Sequence, residues 1–117
     1  MGIARMQTNQ VVGQNVLSLV EQKVRELART ILASESYVKI FVFGSQATGR
    51  SVTRSDIDLG IDVGHPIAPE DLAAIREALD GLPILQRVDV VDFSSVDETF
   101  KAVALQKIKN VYERQAA

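Results

Sequence analysis

Hydrophobic residues recur at helical spacing in the first third of the chain, from Gln14 to about Glu35. They follow one another mostly three or four positions apart, with charged residues largely on the opposite face; they are Val16, Leu17, Val20, Val24, Leu27, Ala28 and Ile31. A stripe with this period is typical of an amphipathic helix that packs on a core. The pattern predicts a first helix over residues 14–35, preceded by a loose polar leader over residues 1–13.

Two runs that suit β-strands come next. Tyr37 to Phe43 is rich in β-branched and aromatic residues and ends at a glycine. Asp56 to Val63 alternates between acidic or small residues and aliphatic ones. Because side chains along a strand point alternately to the two faces of a sheet, Asp56 and Asp58 share one face. We therefore expect two strands, the second of which carries its acids on one face and its aliphatic residues on the other.

The second half of the chain continues with helix, strand and helix. A helical stripe begins at the proline and acids of residues 69–71, which favour a helix start, and ends at a Gly-Leu-Pro segment. The apolar run within residues 84–93 indicates a third strand. Apolar spacing from Ser95 to about Arg114 predicts a closing helix, capped by that serine or by Ser94.

The predicted order is thus helix, strand, strand, helix, strand, helix, with no internal repeat or linker. It favours an α/β (α+β) fold, a small mixed β-sheet with helices packed on one face. A chain of 117 residues has the length of one domain, so residues 14–117 are expected to form a single unit after the leader.

Composition narrows the class of protein. Hydrophobic residues make up 46% and charged residues 24%, which is ordinary for a globular domain. Thirteen basic against fifteen acidic side chains give a net charge of −2, so no stable binding to nucleic acid is expected. The absence of cysteine excludes disulfides and thiolate zinc sites. No apolar run is long enough to span a membrane, and a cytoplasmic protein is the expectation.

The candidate chemistry lies in the stretch VFGSQATGRSVTRSDIDLGIDV, residues 42–63. Gly44 and Ser45 form a tight turn in which a phosphate can approach the backbone and accept hydrogen bonds. Asp56 and Asp58, with Cα atoms about 7 Å apart on a strand, can converge on a shared divalent cation. Taken singly, the turn could be plainly structural and the two acids could lie on a solvated strand face.

Together, the Gly-Ser turn and the Asp-x-Asp pair resemble the signature of the polymerase-β-like nucleotidyltransferase superfamily. The signature covers residues 44–58, and the residues around it resemble the minimal stand-alone members, the MNT proteins; these residues are Phe43, Ala47, Gly49 and Ser55. MNT proteins pair with HEPN-domain proteins in prokaryotic toxin–antitoxin modules.

The resemblance implies a polymerase-β palm-like fold and a Mg²⁺-dependent enzyme. Such an enzyme would transfer AMP from ATP to a hydroxyl of a partner HEPN toxin, expected to be that of a tyrosine, and act as a type VII-like antitoxin. Gly44 and Ser45 would hold the β- and γ-phosphates, and Asp56 and Asp58 would hold two Mg²⁺ ions. A stable hetero-oligomer with the toxin is expected.

The same resemblance implies further site residues. The family takes a third carboxylate from a later strand, and we choose Asp89, which lies between valines, over Asp92 at the strand end. Asp89 would be a metal ligand and a possible general base. Arg50 and Arg54 would contact the triphosphate, because a guanidinium matches phosphate oxygens. Thr48 stands where minimal members often carry a basic residue, which is a departure from the family pattern.

Two rival functions follow from the same residues. The chain could be an antitoxin that neutralises its HEPN partner by binding alone, with an idle catalytic motif. It could instead modify a small molecule, although no substrate-binding domain is evident.

Overall fold

The computed structural model describes residues 14–44 and 56–115. Its elements in chain order are α1 (Gln14–Thr30), β1 (Tyr37–Phe43), β2 (Ile57–Asp62), α2 (Pro69–Asp80), β3 (Val88–Asp92), α3 (Glu98–Ala104) and β4 (Ile108–Gln115). The predicted leader and three predicted site residues lie outside the described residues; these residues are Ser45, Arg50 and Arg54.

The strands form one mixed sheet in the order β3-β2-β1-β4. Strand β1 pairs antiparallel with both β2 and β4, whereas β2 and β3 are parallel and are joined through α2. A parallel pair needs such a crossover, and a helix is its usual form. The predicted fold class, an α+β fold on a small mixed sheet, is confirmed.

Helices α1 and α2 cover one face of the sheet, as predicted. Alternate strand residues face them, and the core they share with both helices includes Val20, Val24, Val38, Ile40, Ile57, Leu59, Ile61, Ile75, Leu79 and Val90. Burial of these aliphatic side chains is the main source of stability, at about 25 cal/mol per Å² of apolar surface. No helix among the described residues is long and apolar enough to cross a membrane.

Aromatic rings occupy the opposite face of the sheet. Phe41, Phe43 and Phe93 are buried there, with the Phe41 and Phe93 ring centroids 4.8 Å apart in an edge-to-face contact. Gly60 lies directly beneath them, and a Cβ there would come within 2.6 Å of the Phe41 ring. The rings therefore pack against the backbone of Gly60, and Phe100 of α3 packs on Phe43 and Phe93 from the solvent side.

Helix α1 is shorter than predicted and ends at Thr30, followed by a turn over residues 31–34. The Thr30 hydroxyl donates to the Glu26 carbonyl at 2.9 Å, and the Leu32 amide donates to the Leu27 carbonyl at 3.1 Å. Leu32 stays buried although it lies beyond the helix. The apolar period continues past the helix because the turn follows the same surface of the core.

The predicted closing helix over residues 95–114 is wrong. Helix α3 covers only Glu98–Ala104, its cap is Asp97 rather than Ser94 or Ser95, and the chain then forms β4. Strand β4 pairs with the whole length of β1, which would otherwise leave its backbone groups unpaired at a sheet edge. Long-range pairing has overridden a local apolar period that suited a helix.

Strand β4 also holds the end of α1 in place. The Arg114 guanidinium donates to the carbonyl oxygens of Ala28 at 3.2 Å, Leu32 at 2.6 Å and Glu35 at 2.9 Å. These carbonyls lie where a helix end leaves acceptors without intrahelical partners. One side chain of the last strand thus fixes the turn that leads into β1.

Candidate active site

Asp58 and Asp89 lie side by side in the sheet. They are register partners in the parallel ladder of β2 and β3, whose strands run roughly 4.8 Å apart. Both project from the face opposite α1 and α2, since Ile57 and Leu59 point into the core beneath those helices. Asp56 is exposed and directly precedes β2. Two carboxylates that are close in sequence, Asp56 and Asp58, are therefore gathered with Asp89 from a distant segment at one end of two neighbouring strands.

The environment of Asp58 disfavours its charged form. Burial raises the pKa of the Asp58 carboxyl above its usual value, and the negative charges of Asp89 and Asp56 raise it further. A cation between these groups would relieve the repulsion, and carboxylate oxygens are the ligands that Mg²⁺ takes. The donor set fits a divalent hard cation in both charge and chemistry.

The carboxylates are not closed into a metal cage as they stand. Within residues 14–44 and 56–115, no three His, Asp or Glu side chains are arranged to hold a metal ion. Asp89 is turned towards Arg87, whose Nε donates to the Asp89 Oδ1 atom at 3.1 Å. That ion pair is open to solvent, with 72% of the Arg87 side chain exposed, so rotating Asp89 away from it is inexpensive.

Arg87 was missed in the sequence reasoning. It lies two residues before Asp89, and the period of two along a strand could have placed it on the same face. Hydrogen bonding to Asp89 and the charges of Asp89, Asp56 and Asp80 raise the pKa of the Arg87 guanidinium. It is therefore a permanent positive charge at the edge of the carboxylate group.

Gly44 lies against Asp58 from the other side. Its φ is +79°, in the region that favours glycine, and a Cβ there would sit 2.9 Å from the Asp58 Oδ2 atom. Phe43, the residue before it, is the register partner of Asp58. The end of β1 thus brings the start of the predicted phosphate turn into contact with the carboxylates.

Asp92 occupies a different place. Its carboxylate accepts hydrogen bonds from the backbone amides of Ile67 at 2.9 Å and Ser94 at 3.0 Å. The hydroxyls of Ser94 and Ser95 also donate to it, at 2.8 and 3.2 Å. Burial alone would raise the pKa of Asp92, but these hydrogen bonds together lower it. Of the two candidates for the third carboxylate, Asp89 is the one beside Asp58.

Two polar residues of the same region lie away from this group. Asp62 accepts a hydrogen bond from the Gly64 amide at 2.9 Å and shapes the turn after β2. His65 is exposed and pairs with Glu35 at 2.7 Å, which raises the pKa of its imidazole. Both therefore serve the loop that follows β2.

An exposed apolar surface adjoins the carboxylates on the same face. The Phe100 ring lies 6.0 Å from Phe43 and 5.8 Å from Phe93, centroid to centroid. Phe100 is 41% exposed, Val103 64% and Leu105 41%. We call these last three residues the α3 patch. It begins one aromatic ring away from Asp58, because Phe43 is the register partner of that aspartate.

The sheet order, the adjacent carboxylates and the glycine at the end of β1 are those expected of the polymerase-β type of nucleotidyltransferase fold. The chain belongs to the family described as "Polymerase beta, Nucleotidyltransferase", whose sequence profile matches residues 25–117. The predicted superfamily is thereby confirmed. No curated protein matches the sequence.

Several solved structures that share the fold are toxin–antitoxin complexes. A toxin–antitoxin structure with AMP-PNP superposes with a TM-score of 0.59 at 24% identity, covering 79% of this chain and 72% of that one. A tri-AMPylated Shewanella oneidensis HEPN toxin in complex with MNT antitoxin gives 0.55 at 22% identity, covering 81% and 71%. A mutant MntA–HpeT toxin–antitoxin gives 0.61 at 22% identity, covering 79% and 71%. At these identities the likeness is one of fold.

Proposed function

We propose that this chain is a protein adenylyltransferase that moves AMP from ATP to a tyrosine hydroxyl of a partner HEPN-domain toxin. The transfer would neutralise the toxin. The observation that carries the proposal is the adjacency of Asp58 and Asp89 on parallel strands, with Gly44 against Asp58. Acids are rarely left beside one another in a partly buried position without a cation to bind.

Each residue of the group has a role in the proposed reaction. Gly44 and Ser45 hold the β- and γ-phosphates, and Arg50 and Arg54 contact the triphosphate. Asp56, Asp58 and Asp89 would hold two Mg²⁺ ions, which would supply Lewis-acid activation of the hydroxyl and charge stabilisation of the leaving group. Asp89 also accepts the proton of the acceptor hydroxyl.

The proposed transfer forms one bond to the α-phosphorus of ATP and breaks one. The acceptor oxygen forms a bond to the α-phosphorus, the bond from that phosphorus to the bridging oxygen breaks, and pyrophosphate leaves. Holding both reactants in place supplies much of the rate, since little covalent chemistry falls to the protein. The partial burial of Asp58 favours this role because electrostatic interactions strengthen where water is excluded.

The α3 patch supports a protein as the acceptor. It is apolar and exposed, and the Phe43 ring separates it from Asp58, so a partner that covers it would bring its surface close to Asp58 and Asp89. Exposed apolar groups that cluster on one surface are typical of protein-binding surfaces. One structural neighbour, a HEPN toxin in complex with MNT antitoxin, is consistent with a HEPN partner and a stable hetero-oligomer.

The test is a transfer reaction followed by intact mass. This chain, ATP, Mg²⁺ and a cognate HEPN protein are mixed, and the partner should gain the mass of one AMP or a small multiple. Asp58→Asn should abolish the gain. Asp62→Asn, the same change at the far end of β2, is the matched control and should retain it. A partner that stays unmodified although the parent binds ATP–Mg²⁺ would overturn the proposal.

A non-catalytic antitoxin is the second candidate, and the Arg87–Asp89 ion pair favours it. A carboxylate paired with an arginine at 3.1 Å must first rotate away from it before it can bind a metal ion. In that case the HEPN protein would be inhibited equally by the parent and by Asp58→Asn, with no change in its mass. The same mass experiment therefore separates catalysis from occlusion.

A further inference from the structure

A pocket of about 230 Å³ opens at the outer edge of β3, beside Asp89. Its lining residues come from α2, from β3 and from the residue just before β3; they are Arg76, Asp80, Arg87, Val88, Asp89 and Val90. Strand β3 is the last strand of the sheet on this side. The volume is below the roughly 300–1,000 Å³ of pockets that enclose a whole drug-sized ligand. It suits a fragment, such as a phosphate group with part of a sugar.

Two guanidinium groups from separate elements meet in this pocket. Arg76 reaches from α2 and donates from Nη2 to the Val90 carbonyl at 3.0 Å. Arg87 donates from Nε to Asp89, and its backbone carbonyl accepts from the Ile57 amide at 2.9 Å, which fixes its position on the sheet. Among the described residues these hydrogen bonds occupy one nitrogen of each guanidinium, which has five N–H donors in all.

The charge of the pocket depends on Asp89. With Asp89 paired to Arg87, two arginines face two aspartates. When Asp89 serves the proposed transfer as a metal ligand, two arginines face Asp80 alone, and the pocket becomes positive. Forked guanidinium donors match phosphate oxygens in a bidentate manner, so an oxyanion of this kind is the complementary ligand.

The pocket lies on the acceptor side of the reaction. Across the sheet, Gly44 just after β1 comes first, then Asp58 on β2, then Asp89 on β3, then the pocket. The proposed pyrophosphate position is at Gly44, and in phosphoryl transfer the attacking and leaving oxygens are roughly in line on opposite sides of the phosphorus. The attacking hydroxyl therefore arrives from the side of the pocket.

We propose that this pocket is an acceptor subsite in which Arg76 and Arg87 bind a phosphate group carried by the acceptor, next to its reactive hydroxyl. The inference rests on the proposed nucleotidyl transfer. The phosphate has two sources with the same chemistry: a nucleotide attached to the partner protein by an earlier transfer, or a free sugar phosphate. In either case the hydroxyl oxygen attacks the α-phosphorus of ATP, pyrophosphate leaves, and the hydroxyl proton passes to Asp89.

Binding of ribose 5-phosphate tests the subsite directly. The protein is first saturated with Mg²⁺ and AMP-PNP, and ribose 5-phosphate is then titrated and followed by the backbone amide signals of residues 87–90. We expect saturable shifts there and none with ribose, which lacks the phosphate. Arg76→Gln and Arg87→Gln should each weaken binding about tenfold, as for one charge-assisted contact. Arg29→Gln, an exposed arginine on α1, is the matched control and should leave binding unchanged.

The outcomes separate the two proposals. If the parent protein does not bind Mg²⁺ and AMP-PNP, both the proposed function and this inference are contradicted. If the parent binds both but does not bind ribose 5-phosphate, only the inference is contradicted. The same holds if the Arg76→Gln, Arg87→Gln double variant binds ribose 5-phosphate as tightly as the parent.

Intact mass identifies the source of the phosphate. If it is an attached nucleotide, Arg76→Gln should lower the ratio of second to first AMP additions on the HEPN protein several-fold, whereas Arg29→Gln should not. If ribose 5-phosphate binding is lost in the variant while that ratio stays the same, the subsite serves a free phosphorylated acceptor.

Discussion

Asp89 and Asp92 lie three residues apart on β3 and have opposite surroundings. Asp89 has one exposed partner, Arg87, and faces Asp58 across the ladder. Asp92 lies at register with Ile61, points to the other face, and accepts four hydrogen bonds that join the end of β3 to the loops on either side. The odd spacing between them, with a side-chain period of two, sends one acid to each face.

The contrast extends to the pKa values of Asp58 and Asp92. The pKa of Asp58, the neighbour of Asp89, is raised by burial and like charges, while the pKa of Asp92 is lowered by its donors. A carboxylate that stabilises the fold receives its hydrogen bonds from the protein itself. A carboxylate that binds a ligand stays electrostatically unfavourable until the ligand is bound, which is why groups with shifted pKa values gather at functional sites. The following experiments separate these two kinds of acid.

The largest effect is expected from Asp58→Asn. Transfer of AMP should fall by about a thousandfold or more, because a lost metal ligand costs several kcal/mol of transition-state stabilisation. The free energy of unfolding should stay the same or rise slightly, since one of three like charges is removed. Labelled-ATP transfer and chemical denaturation measure the two quantities. Transfer within tenfold of the parent would contradict the assignment of Asp58.

Asp92→Ala should show the reverse pattern. We expect a loss of about 2–3 kcal/mol in the free energy of unfolding, because the Ile67 and Ser94 amides lose their acceptor in a partly buried corner. Nucleotide affinity, measured below the melting temperature, should stay within about twofold. If the variant is stable but no longer binds ATP–Mg²⁺, Asp92 belongs to the nucleotide site.

The same residue gives a pH dependence of stability. Because the folded pKa of Asp92 is lowered, its contribution is fully present above the unfolded value of about 3.9 and is lost as the pH falls through the folded pKa. The difference in unfolding free energy between the parent and Asp92→Ala should therefore be constant at neutral pH and narrow in acid below about pH 4. Denaturation at a series of pH values measures it. A difference that does not narrow would contradict the lowered pKa.

Gly44→Ala should weaken nucleotide binding about tenfold or more, because the new Cβ would press on the Asp58 carboxylate. Gly64→Ala is a close control: its φ of +86° carries the same backbone strain, of about 1 kcal/mol, but nothing lies within 4 Å of its Cβ. Both variants should lose similar stability, and only the first should lose affinity in a calorimetric titration with ATP–Mg²⁺. Equal nucleotide affinity of the Gly44→Ala and Gly64→Ala variants would show that the turn at Gly44 has only a structural role.

The smallest effect concerns the partner. Val103→Asp places a charge in the α3 patch and should weaken binding to the HEPN protein about five- to tenfold, as for one buried contact at an interface. Leu85→Asp introduces the same charge at a residue that is 87% exposed in the loop before β3, and should have no effect. The affinities are measured on immobilised HEPN protein. Equal affinities of the two variants would show that the α3 patch is not part of the interface.

Much of the fold followed from local pattern. The bounds of β1 are those predicted, and β2, α2 and β3 lie within the predicted segments, because turn residues and apolar periods agree there. The site geometry followed from two further regularities, the alternation along β2 and the position of Asp89 between valines. Arg87 was missed because the period of two places it only on the same face as Asp89, and no local pattern shows that the two side chains pair.

The sequence by itself determined the glycine turn, the paired acids and the faces they occupy, since these depend on spacing along one or two strands. Only the tertiary structure decided that residues 108–115 form a strand: their apolar period also suits a helix, and the unpaired edge of β1 selects the extended form. It likewise decided which acid of β3 meets Asp58, because that depends on the register between β2 and β3, which no local pattern contains.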